Sequence, residues 1–381
     1  MRHVSGAWLT ADATQRVARL LTKSGHQAYF VGGCVRNTLM SVAVSDIDMA
    51  TDARPDDVMR LAHADGLKVI PTGLDHGTVT VMSDGIAHEI TTFRHDVATD
   101  GRHADVRFSD TLAEDAQRRD FTMNALYADA KGLVTDPTGG LNDLEARRVK
   151  FVGTPETRIS EDYLRILRFF RFHAWYGEPA GGIDPEGLSA CAKGAEGLDG
   201  LSRERIGSEM IKLLSAPDPS PSIAAMHQTG ILARVMPGAD PKALAPLVHF
   251  ESETKRNWLT RATVMGGEDL KDAWRISKRD ATDLQRLRAL IGLPTPLHEI
   301  AFRDGAHMAW NTAFARASVF ETPVDPDAST KIEIGSQAIF PVKAADLSNL
   351  RGPALGQKLR AMETAWIASA FTMSKADLLS L

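Results

Sequence analysis

Two aspartates early in the chain are the first residues whose types and spacing could do chemistry. Asp46 and Asp48 stand in the stretch SDIDMAT, which is predicted to form a β-strand. Because alternate side chains of a strand share a face, both carboxylates point one way while Ile47 points into the core. Two oxygen ligands on one face can hold one or two Mg²⁺ ions, which clamp the attacking and leaving oxygens in phosphoryl chemistry. For an Asp-x-Asp pair taken alone, the alternative is a solvated turn.

A glycine pair precedes these aspartates in the stretch VGGCVR, between a predicted strand and a predicted helical turn. Glycine lets backbone N–H groups approach a phosphate closely, and a helix N-terminus favours anions, which makes Gly32 and Gly33 candidate phosphate contacts. Arg36 adds a positive charge for a phosphate oxygen. The third glycine of the dinucleotide-binding fingerprint is missing. Glycine turn, arginine and paired aspartates together fit a nucleoside triphosphate with its metals.

A third polar segment, EDAQRRDFTMNAL at residues 114–126, crowds Arg118, Arg119, Asp120 and Asn124 beside an apolar helical pattern. Asp and Asn side chains can hold ribose hydroxyls, and arginine can hold phosphate. The alternative is an ordinary salt-bridged helix start, with Asp120 near the N-terminal end of the helix dipole.

The stretch EDYLRILRFFR carries acidic and basic side chains on an otherwise apolar helix pattern. On a helix, Asp162, Arg165 and Arg168 would share one face, with Glu161 close by. A carboxylate can accept from the amino group of cytosine or adenine while a guanidinium donates to the ring acceptor beside it, whereas uracil and guanine present a carbonyl there. The Asp162/Arg165 pair could therefore accept C and A and reject U and G. The alternative is an ion-pair row on a solvated helix.

The composition sets limits on the elements that position these residues. The chain has 381 residues, enough for two or three domains, and a formal net charge of −5, which argues weakly against a general nucleic-acid binder. No apolar run is long enough to span a bilayer, and no signal peptide is expected. The two cysteines, Cys34 and Cys191, cannot build a disulfide framework and fit a reducing cytoplasm.

The predicted elements change character near residue 137. Helix and strand patterns alternate before it, whereas the patterns after it are mostly helical. The expected fold class is therefore α+β, with a mixed sheet and its helices first and an all-α region afterwards.

With these segments in hand, the chain resembles the class II tRNA nucleotidyltransferase and poly(A) polymerase family, and is most like the bacterial CCA-adding enzymes. The stretches that resemble family motifs are GGCVRNTLM with DIDMAT, RRDFTMNAL, DPTGGLNDLEARRVKFVG, EDYLRILRFFRF and RERIGSEMIKLL. They follow one another in the family's order between about residues 28 and 214.

The resemblance implies a role for each position that matches a motif. Asp46 and Asp48 would bind catalytic Mg²⁺, with Glu89 as a possible third carboxylate on the next strand. The residues implied to hold the triphosphate are Gly32, Gly33, Arg36 and Arg168. Those implied to contact ribose and phosphate are Arg119, Asp120 and Asn124. The pair implied to select CTP and ATP is Asp162 and Arg165.

The resemblance also implies an organisation and a set of partners. A catalytic head would occupy residues 1–137, a helical neck 138–215, and a tRNA-binding body and tail 216–381. The partners would be the 3′ end of tRNA, CTP and ATP, and no protein partner is inferred. The composition adds the expectation of no membrane association and of a cytoplasmic location. Basic residues that could line a tRNA groove are Lys255, Arg256, Arg261, Lys278 and Arg279.

Two departures from the family pattern stand out. Asn37 occupies a position where the family often has Asp, and its role is left open. The segment RHDVATDGRHADVRF, residues 94–108, lies where the family has a flexible loop that helps to switch from C to A addition, but its sequence differs from the usual pattern.

Three other functions remain as alternatives at this point. A poly(A) polymerase of the same family would lack the stop after three nucleotides, and the absence of a basic tail disfavours it. A non-catalytic RNA-binding homologue is disfavoured by the intact Asp46 and Asp48. A dinucleotide-dependent oxidoreductase is disfavoured by the missing third glycine.

Overall fold

The computed structural model describes residues 2–99, 104–178, 180–251 and 256–381. The chain divides into two compact units, one formed by Met1–Leu213 with Pro221–Val235 and the other by Leu214–Ser220 with Met236–Leu381. The first unit contains a mixed sheet with helices, and the second is helical. The expected α+β class is confirmed. The finer division at residues 137 and 215 stays a prediction.

The described part of the first unit contains nine strands. Their bounds are β1 Ala28–Val31, β2 Ile47–Thr51, β3 Lys68–Gly73, β4 Thr78–Ser83, β5 Ile86–Thr92, β6 Arg94–Thr99, β7 Ala104–Phe108, β8 Tyr127–Ala128 and β9 Val134–Thr135. Seven of them form one sheet in the order β3-β4-β5-β2-β1-β8-β9, in which β2 and β5 run parallel and the other neighbours antiparallel.

Strands β6 and β7 form a separate antiparallel pair. They occupy both sides of the segment 94–108, which was expected to be a flexible loop. Residues 100–103, between these two strands in the sequence, lie outside the described residues. Whether the segment moves during nucleotide addition stays a prediction.

The helices follow in chain order. Those up to residue 235 are α1 Ala7–Thr10, α2 Asp12–Lys23, α3 Gly33–Leu39, α4 Pro55–Ala64, α5 Leu112–Gln117, α6 Gly140–Glu145, α7 Pro155–Glu161, α8 Leu164–Tyr176, α9 Pro185–Lys193, α10 Arg203–Leu214, α11 Ser220–Gln228 and α12 Ile231–Val235. The remaining ones are α13 Leu244–Phe250, α14 Trp258–Met265, α15 Leu270–Ala273, α16 Lys278–Gly292, α17 Leu297–Asp304, α18 Ala306–Val319, α19 Ala328–Gln337, α20 Gly352–Ala368 and α21 Lys375–Leu379.

The sheet buries one face because its strands alternate apolar and polar residues. In β4, Val79 and Val81 are buried while the threonines between and before them are partly exposed. Helix α2 packs against β1, β4 and β5, and it buries Val17 and Leu21 on a single helical stripe. On β5, the buried His88 and the exposed Glu89 point to opposite faces. The face that carries Glu89 is therefore the one that can bind a ligand.

One sequence expectation about the helices is wrong. The stretch EDYLRILRFFR is predicted as part of a single helix, but α7 ends at Glu161 and α8 begins at Leu164. Asp162 has an extended backbone with φ of −154°, and its Oδ1 accepts the backbone N–H of Leu164 at 3.1 Å. A short acidic side chain that satisfies a backbone N–H competes with the helical bond, which is the physical reason for the break.

The second unit is built from helices around apolar clusters. One cluster contains Leu290, Leu297, Ile300, Ala301, Ala309 and Ile332. Another contains Val342, Leu347, Met362, Trp366, Ile367 and Leu378. Among the described residues, no helix combines the length and the hydropathy needed to cross a bilayer.

Candidate functional site

Three carboxylates lie at the exposed face of the sheet, and we call Asp46, Asp48 and Glu89 the acidic edge. Asp46 directly precedes β2, and Asp48 lies within it, while Ile47 is buried between them as the alternation predicted. Asp48 is in register with Glu89 of the parallel strand β5. Burial raises the pKa of Asp48 to about 6, and the negative charge of Glu89 raises it further against the charge of Arg119. The acidic edge therefore concentrates negative charge that a cation would stabilise.

The donor set suits a hard cation only with further ligands. Within the described part of the chain, no group of three or more His, Cys, Asp or Glu side chains could hold a metal ion. Mg²⁺ commonly binds to one or two carboxylates and completes its shell with water and substrate phosphate oxygens. Asp46 and Asp48 fit that role, and the contribution of Glu89 stays a prediction.

The glycine turn lies between β1 and α3. Gly32 has φ of +70°, a conformation that favours glycine, and its N–H donates to the carbonyl of Leu126 at 3.3 Å. A Cβ atom on Gly32 would lie 3.7 Å from Nη1 of Arg119. The turn therefore brings the backbone of the first predicted segment beside an arginine of the third.

Arg119 is held in place by two side chains that the sequence did not single out. Its Nη2 donates to Oδ2 of Asp115 at 2.9 Å, and its Nε donates to the hydroxyl of Tyr127 at 2.9 Å. Tyr127 in turn donates to the same Asp115 oxygen at 2.7 Å. Burial opposes the ionisation of Asp115, but the charges of Arg119 and Arg118 hold its pKa at about 2. The spacing of Asp115 from both arginines on a helix, three and four residues, was the available signal.

Arg36 is buried, and its guanidinium donates to three neutral side chains. Its Nη2 donates to Oδ1 of Asn37 at 2.8 Å and to the hydroxyl of Tyr176 at 2.9 Å, and its Nη1 donates to Oδ1 of Asn124. The guanidinium also lies 4.1 Å from the centroid of the Tyr176 ring. Burial lowers the pKa of Arg36 from its ordinary value.

Asn37, whose role the sequence left open, links Arg36 to the chain before the acidic edge. Its Oδ1 accepts from Arg36, and its Nδ2 donates to the carbonyl of Ala43 at 2.9 Å. An amide can do both because it carries a donor and an acceptor, whereas a carboxylate could only accept.

Asp120 completes a continuous chain of hydrogen bonds. Its Oδ1 accepts from Nδ2 of Asn124 at 2.9 Å, and its Oδ2 accepts from Nε of Arg168 at 2.8 Å. Burial again opposes ionisation, but Arg168 and the bond from Asn124 hold the pKa of Asp120 at about 2. We use the name arginine network for Arg36, Arg119, Arg168, Asp115, Asp120 and Asn124. Direct contacts of these residues with ribose or phosphate stay predictions.

The predicted base-reading pair, Asp162 and Arg165, is arranged differently from the expectation. Because α7 and α8 are separate, Asp162 precedes the helix that carries Arg165 instead of sharing its face. The Nη1 of Arg165 donates to Oε2 of Glu161 at 2.5 Å. Its Nη2 donates to the carbonyl of Arg118 at 3.0 Å. The pair thus has other partners, and base selection by it stays a prediction.

Helix α10 supplies two partners that sequence reasoning missed as individual residues. Arg205 donates from Nη2 to Oδ2 of Asp162 at 2.7 Å, and the buried Glu209 accepts from Nε of Arg171 at 2.6 Å. Arg205 and Glu209 are four residues apart, so they share one face of this helix. The stretch RERIGSEMIKLL had been recognised only as a motif.

One basic residue proposed for a tRNA groove is placed elsewhere. Arg261 is fully buried in the second unit, where it pairs with Glu251 at 2.7 Å and donates to the carbonyl of Leu214 at 2.7 Å. It therefore cannot line a surface groove, and that expectation is wrong. The side chain of Arg279 is 91% exposed, and Lys255 lies outside the described residues.

A mixed sheet with carboxylates on one face, beside arginines that are held by side-chain hydrogen bonds, is typical of one class of protein, the nucleotidyltransferases. Comparison with protein families places the chain more narrowly. The model of the poly(A) polymerase head domain matches residues 28–150. A second model, described as a probable RNA- and SrmB-binding site of polymerase A, matches residues 182–242.

Similar proteins extend over most of the chain. The CCA-adding enzyme of Geobacillus kaustophilus is 35% identical over 331 residues, covering 81% of this chain and 78% of that one. The mitochondrial CCA tRNA nucleotidyltransferase 1 of Danio rerio is 30% identical over 98% of this chain and 90% of its own. The crystal structure of the Bacillus stearothermophilus CCA-adding enzyme in complex with CTP aligns with a TM-score of 0.75 at 29% identity, covering 94% of this chain and 92% of that one. The chain belongs to the tRNA nucleotidyltransferase and poly(A) polymerase family.

Proposed function

We propose that this protein adds or repairs the 3′-terminal CCA of tRNA, using CTP and ATP and releasing pyrophosphate. The observation that carries the proposal is the acidic edge beside Arg119, in a chain that covers most of the length of CCA-adding relatives. Carboxylates next to a fixed cation suit a metal-bound triphosphate, because the metal binds the carboxylates while the arginine binds a phosphate.

Enzymes of this family depend on a metal ion, and we propose Mg²⁺, bound by Asp46 and Asp48. When bound, Mg²⁺ lowers the pKa of the attacking 3′-hydroxyl and neutralises charge on the phosphates. The raised pKa of Asp48 supports this assignment, since a nearby cation would favour the ionised carboxylate.

The arginine network would position the nucleotide. Nη1 of Arg119 faces Gly32, so both could contact the triphosphate where the glycine leaves room. Asp115 and Tyr127 fix the direction of that guanidinium, which lowers the entropy cost of the contact. No covalent intermediate is required, since positioning and charge stabilisation suffice for phosphoryl transfer.

Base selection is assigned to Asp162 and Arg165. An oxygen of Asp162 would accept from the amino group of cytosine or adenine, and Arg165 would donate to the ring nitrogen beside it. The remaining helices would hold tRNA by shape and phosphate contacts, since every tRNA must be accepted. This assigns residues 1–137 to catalysis, 138–215 to base selection and 216–381 to tRNA binding.

The proposal is tested by incubating the protein with Mg²⁺, labelled CTP or ATP, and tRNA that ends before CCA, after C or after CC. We expect ordered addition of C, C and A, followed by a stop. Long A-tails would instead indicate a poly(A) polymerase, and no incorporation would contradict both enzyme functions. With Asp162→Ala, we expect incorporation of U and G to increase, and unchanged selectivity would show that the base-reading assignment is wrong.

A further inference from the structure

Arg205 is hydrogen-bonded to the predicted base-reading carboxylate, Asp162. Its Nη2 donates to Oδ2 of Asp162 at 2.7 Å, and the two side chains are 37% and 29% exposed. The other oxygen of Asp162 accepts the backbone N–H of Leu164 at 3.1 Å. Both carboxylate oxygens are therefore held, one by the start of α8 and one by an arginine on α10.

The Nη1 and Nη2 atoms of Arg165 bond to other groups than Asp162, and the five N–H donors of the guanidinium leave others for a base. Its Nη1 donates to Oε2 of Glu161 at 2.5 Å and to the carbonyl of Arg158 at 2.9 Å. Its Nη2 donates to the carbonyl of Arg118 at 3.0 Å. The two halves of the predicted pair are thus fixed independently, Arg165 from α7 and the third polar segment, and Asp162 from α10.

We propose that Arg205 is a specificity-determining positioning residue, which fixes the Asp162 carboxylate in the direction that accepts a base amino group. This inference rests on the proposed function. A carboxylate oxygen has two lone pairs, so Oδ2 can accept from Arg205 and from an amino group at the same time. A carbonyl at the same place would face a second acceptor, and that unfavourable contact rejects U and G only while the carboxylate cannot turn away.

Without Arg205, Asp162 would keep one backbone contact and could rotate. Rotation relieves the unfavourable contact with U or G more than it weakens the hydrogen bond to C or A. The selectivity for CTP over UTP, and for ATP over GTP, should therefore fall. The chemical step should be affected less, because the largest charge effects on Asp48 come from Glu89, Arg119, Asp46 and Arg36 and not from Arg205.

The experiment measures kcat/KM for CTP and UTP on tRNA that lacks CCA, and for ATP and GTP on tRNA that lacks only the final A. We expect Arg205→Ala to lower both discrimination ratios about tenfold, the equivalent of one well-formed hydrogen bond, with kcat for CTP and ATP changed less than about threefold. Arg205→Lys keeps a charged donor and should give ratios between those of Arg205→Ala and wild type.

Arg16→Ala is the matched control. Arg16, on α2, likewise donates to an aspartate just beyond the end of a helix, Asp65 after α4, at 2.7 Å, with side chains 41% and 44% exposed. It should leave both ratios unchanged.

Equal losses with all four nucleotides would show a structural role and overturn the inference, and so would unchanged ratios in both Arg205 variants. If wild-type protein added neither C nor A, the proposed function would fail first, and this inference with it. If Arg205→Ala did not fold, Arg205→Lys would decide, since wild-type ratios in that folded variant would overturn the inference.

Discussion

The acidic edge and the arginine network lie in the same unit, but they shift the pKa values of their carboxyl groups in opposite directions. At the acidic edge, burial and the negative charge of Glu89 raise the pKa of Asp48 to about 6. In the network, burial acts in the same direction on Asp115 and Asp120, but arginines hold both pKa values at about 2. The difference arises because each network carboxylate accepts directly from a guanidinium, whereas Asp48 has a second carboxylate beside it.

The carboxylates of the arginine network are paired with arginines in the free protein, whereas, among the described residues, no cationic side chain is paired directly with the carboxylates of the acidic edge. The network stabilises the fold and fixes the arginines before nucleotide binds. Ionisation at the acidic edge costs stability, and we propose that a bound cation offsets this cost, as is usual at metal-dependent sites. The predictions that follow change one side of the comparison at a time.

The largest expected effect is the loss of activity on changing the acidic edge. Asp48→Asn should reduce transfer of both CMP and AMP about a thousandfold or more, because several kcal/mol of charge stabilisation depend on the metal ligands. Single-turnover incorporation with labelled CTP and ATP measures it. Asp57→Asn, which changes a partly exposed acid paired with Arg60 on α4, is the control and should retain activity. Equal activity in both variants would contradict the assignment of Asp48.

A loss of stability is expected on changing the network. Asp115→Ala leaves Arg118 and Arg119 without their buried partner, and it should lower the free energy of unfolding by about 3 kcal/mol. Urea unfolding of the variant and of wild type, followed by a spectroscopic signal from the first unit, measures the free energy of unfolding. The control is Asp110→Ala, whose side chain is 81% exposed and pairs with Arg54, and it should cost less than about 1 kcal/mol. Similar losses in the two variants would mean that the network is not a stabilising element.

The pH dependence of stability should have opposite signs for Asp115 in the arginine network and Asp48 in the acidic edge. The folded pKa of Asp115, about 2, is depressed, so its contribution is present above about pH 4 and is lost as the pH falls towards 2. The folded pKa of Asp48, about 6, is raised, so ionisation costs stability increasingly from about pH 4 and fully above pH 6.

In metal-free buffer, Asp48→Asn should therefore be more stable than wild type by roughly 1–2 kcal/mol above pH 6 and equal to it below pH 4. The destabilisation of Asp115→Asn should instead shrink between pH 4 and pH 2. Chemical unfolding across this range measures both. A destabilised Asp48→Asn at pH 7 would remove the contrast on which the comparison rests.

The smallest effect is expected at Asn37. Asn37→Ala removes the acceptor for Arg36 and should raise the KM for CTP and ATP about fivefold, equivalent to about 1 kcal/mol. Asn37→Asp keeps the acceptor and loses only the bond to Ala43, so it should stay within about threefold of wild type. If Asn37→Asp were as impaired as Asn37→Ala, the donor to Ala43, and not the bond to Arg36, would be the important contact.

Local patterns predicted the parts of the site that depend on neighbouring residues. The alternation in SDIDMAT correctly placed Ile47 in the core between Asp46 and Asp48, because strand side chains alternate whatever the rest of the fold does. The glycine turn was also found, since Gly32 adopts a positive φ that favours glycine. The same local reasoning failed at Asp162, where a side-chain bond to Leu164 competes with the helix.

Partners that are distant in sequence were beyond such patterns. Tyr176 is 140 residues from Arg36, and Arg205 is 43 residues from Asp162. Charge and spacing identified the arginines and acids but not their pairing, because a guanidinium can pair with any carboxylate that the fold brings near it. Arg261 shows the same limit, since a charged residue read as surface is buried with Glu251.

By itself, then, the sequence determined the α+β class, the shared face of Asp46 and Asp48, the glycine turn and the motif order that indicates the family. These follow from periodicity and residue type, which act within a few residues of the chain. Only the tertiary structure decided that Arg119 is held by Asp115 and Tyr127, that Asn37 links Arg36 to Ala43, and that Asp162 accepts a hydrogen bond from Arg205 on α10. The physical reason is that a buried charge must find a partner in space, and the fold, not the order of residues, determines which partner is near.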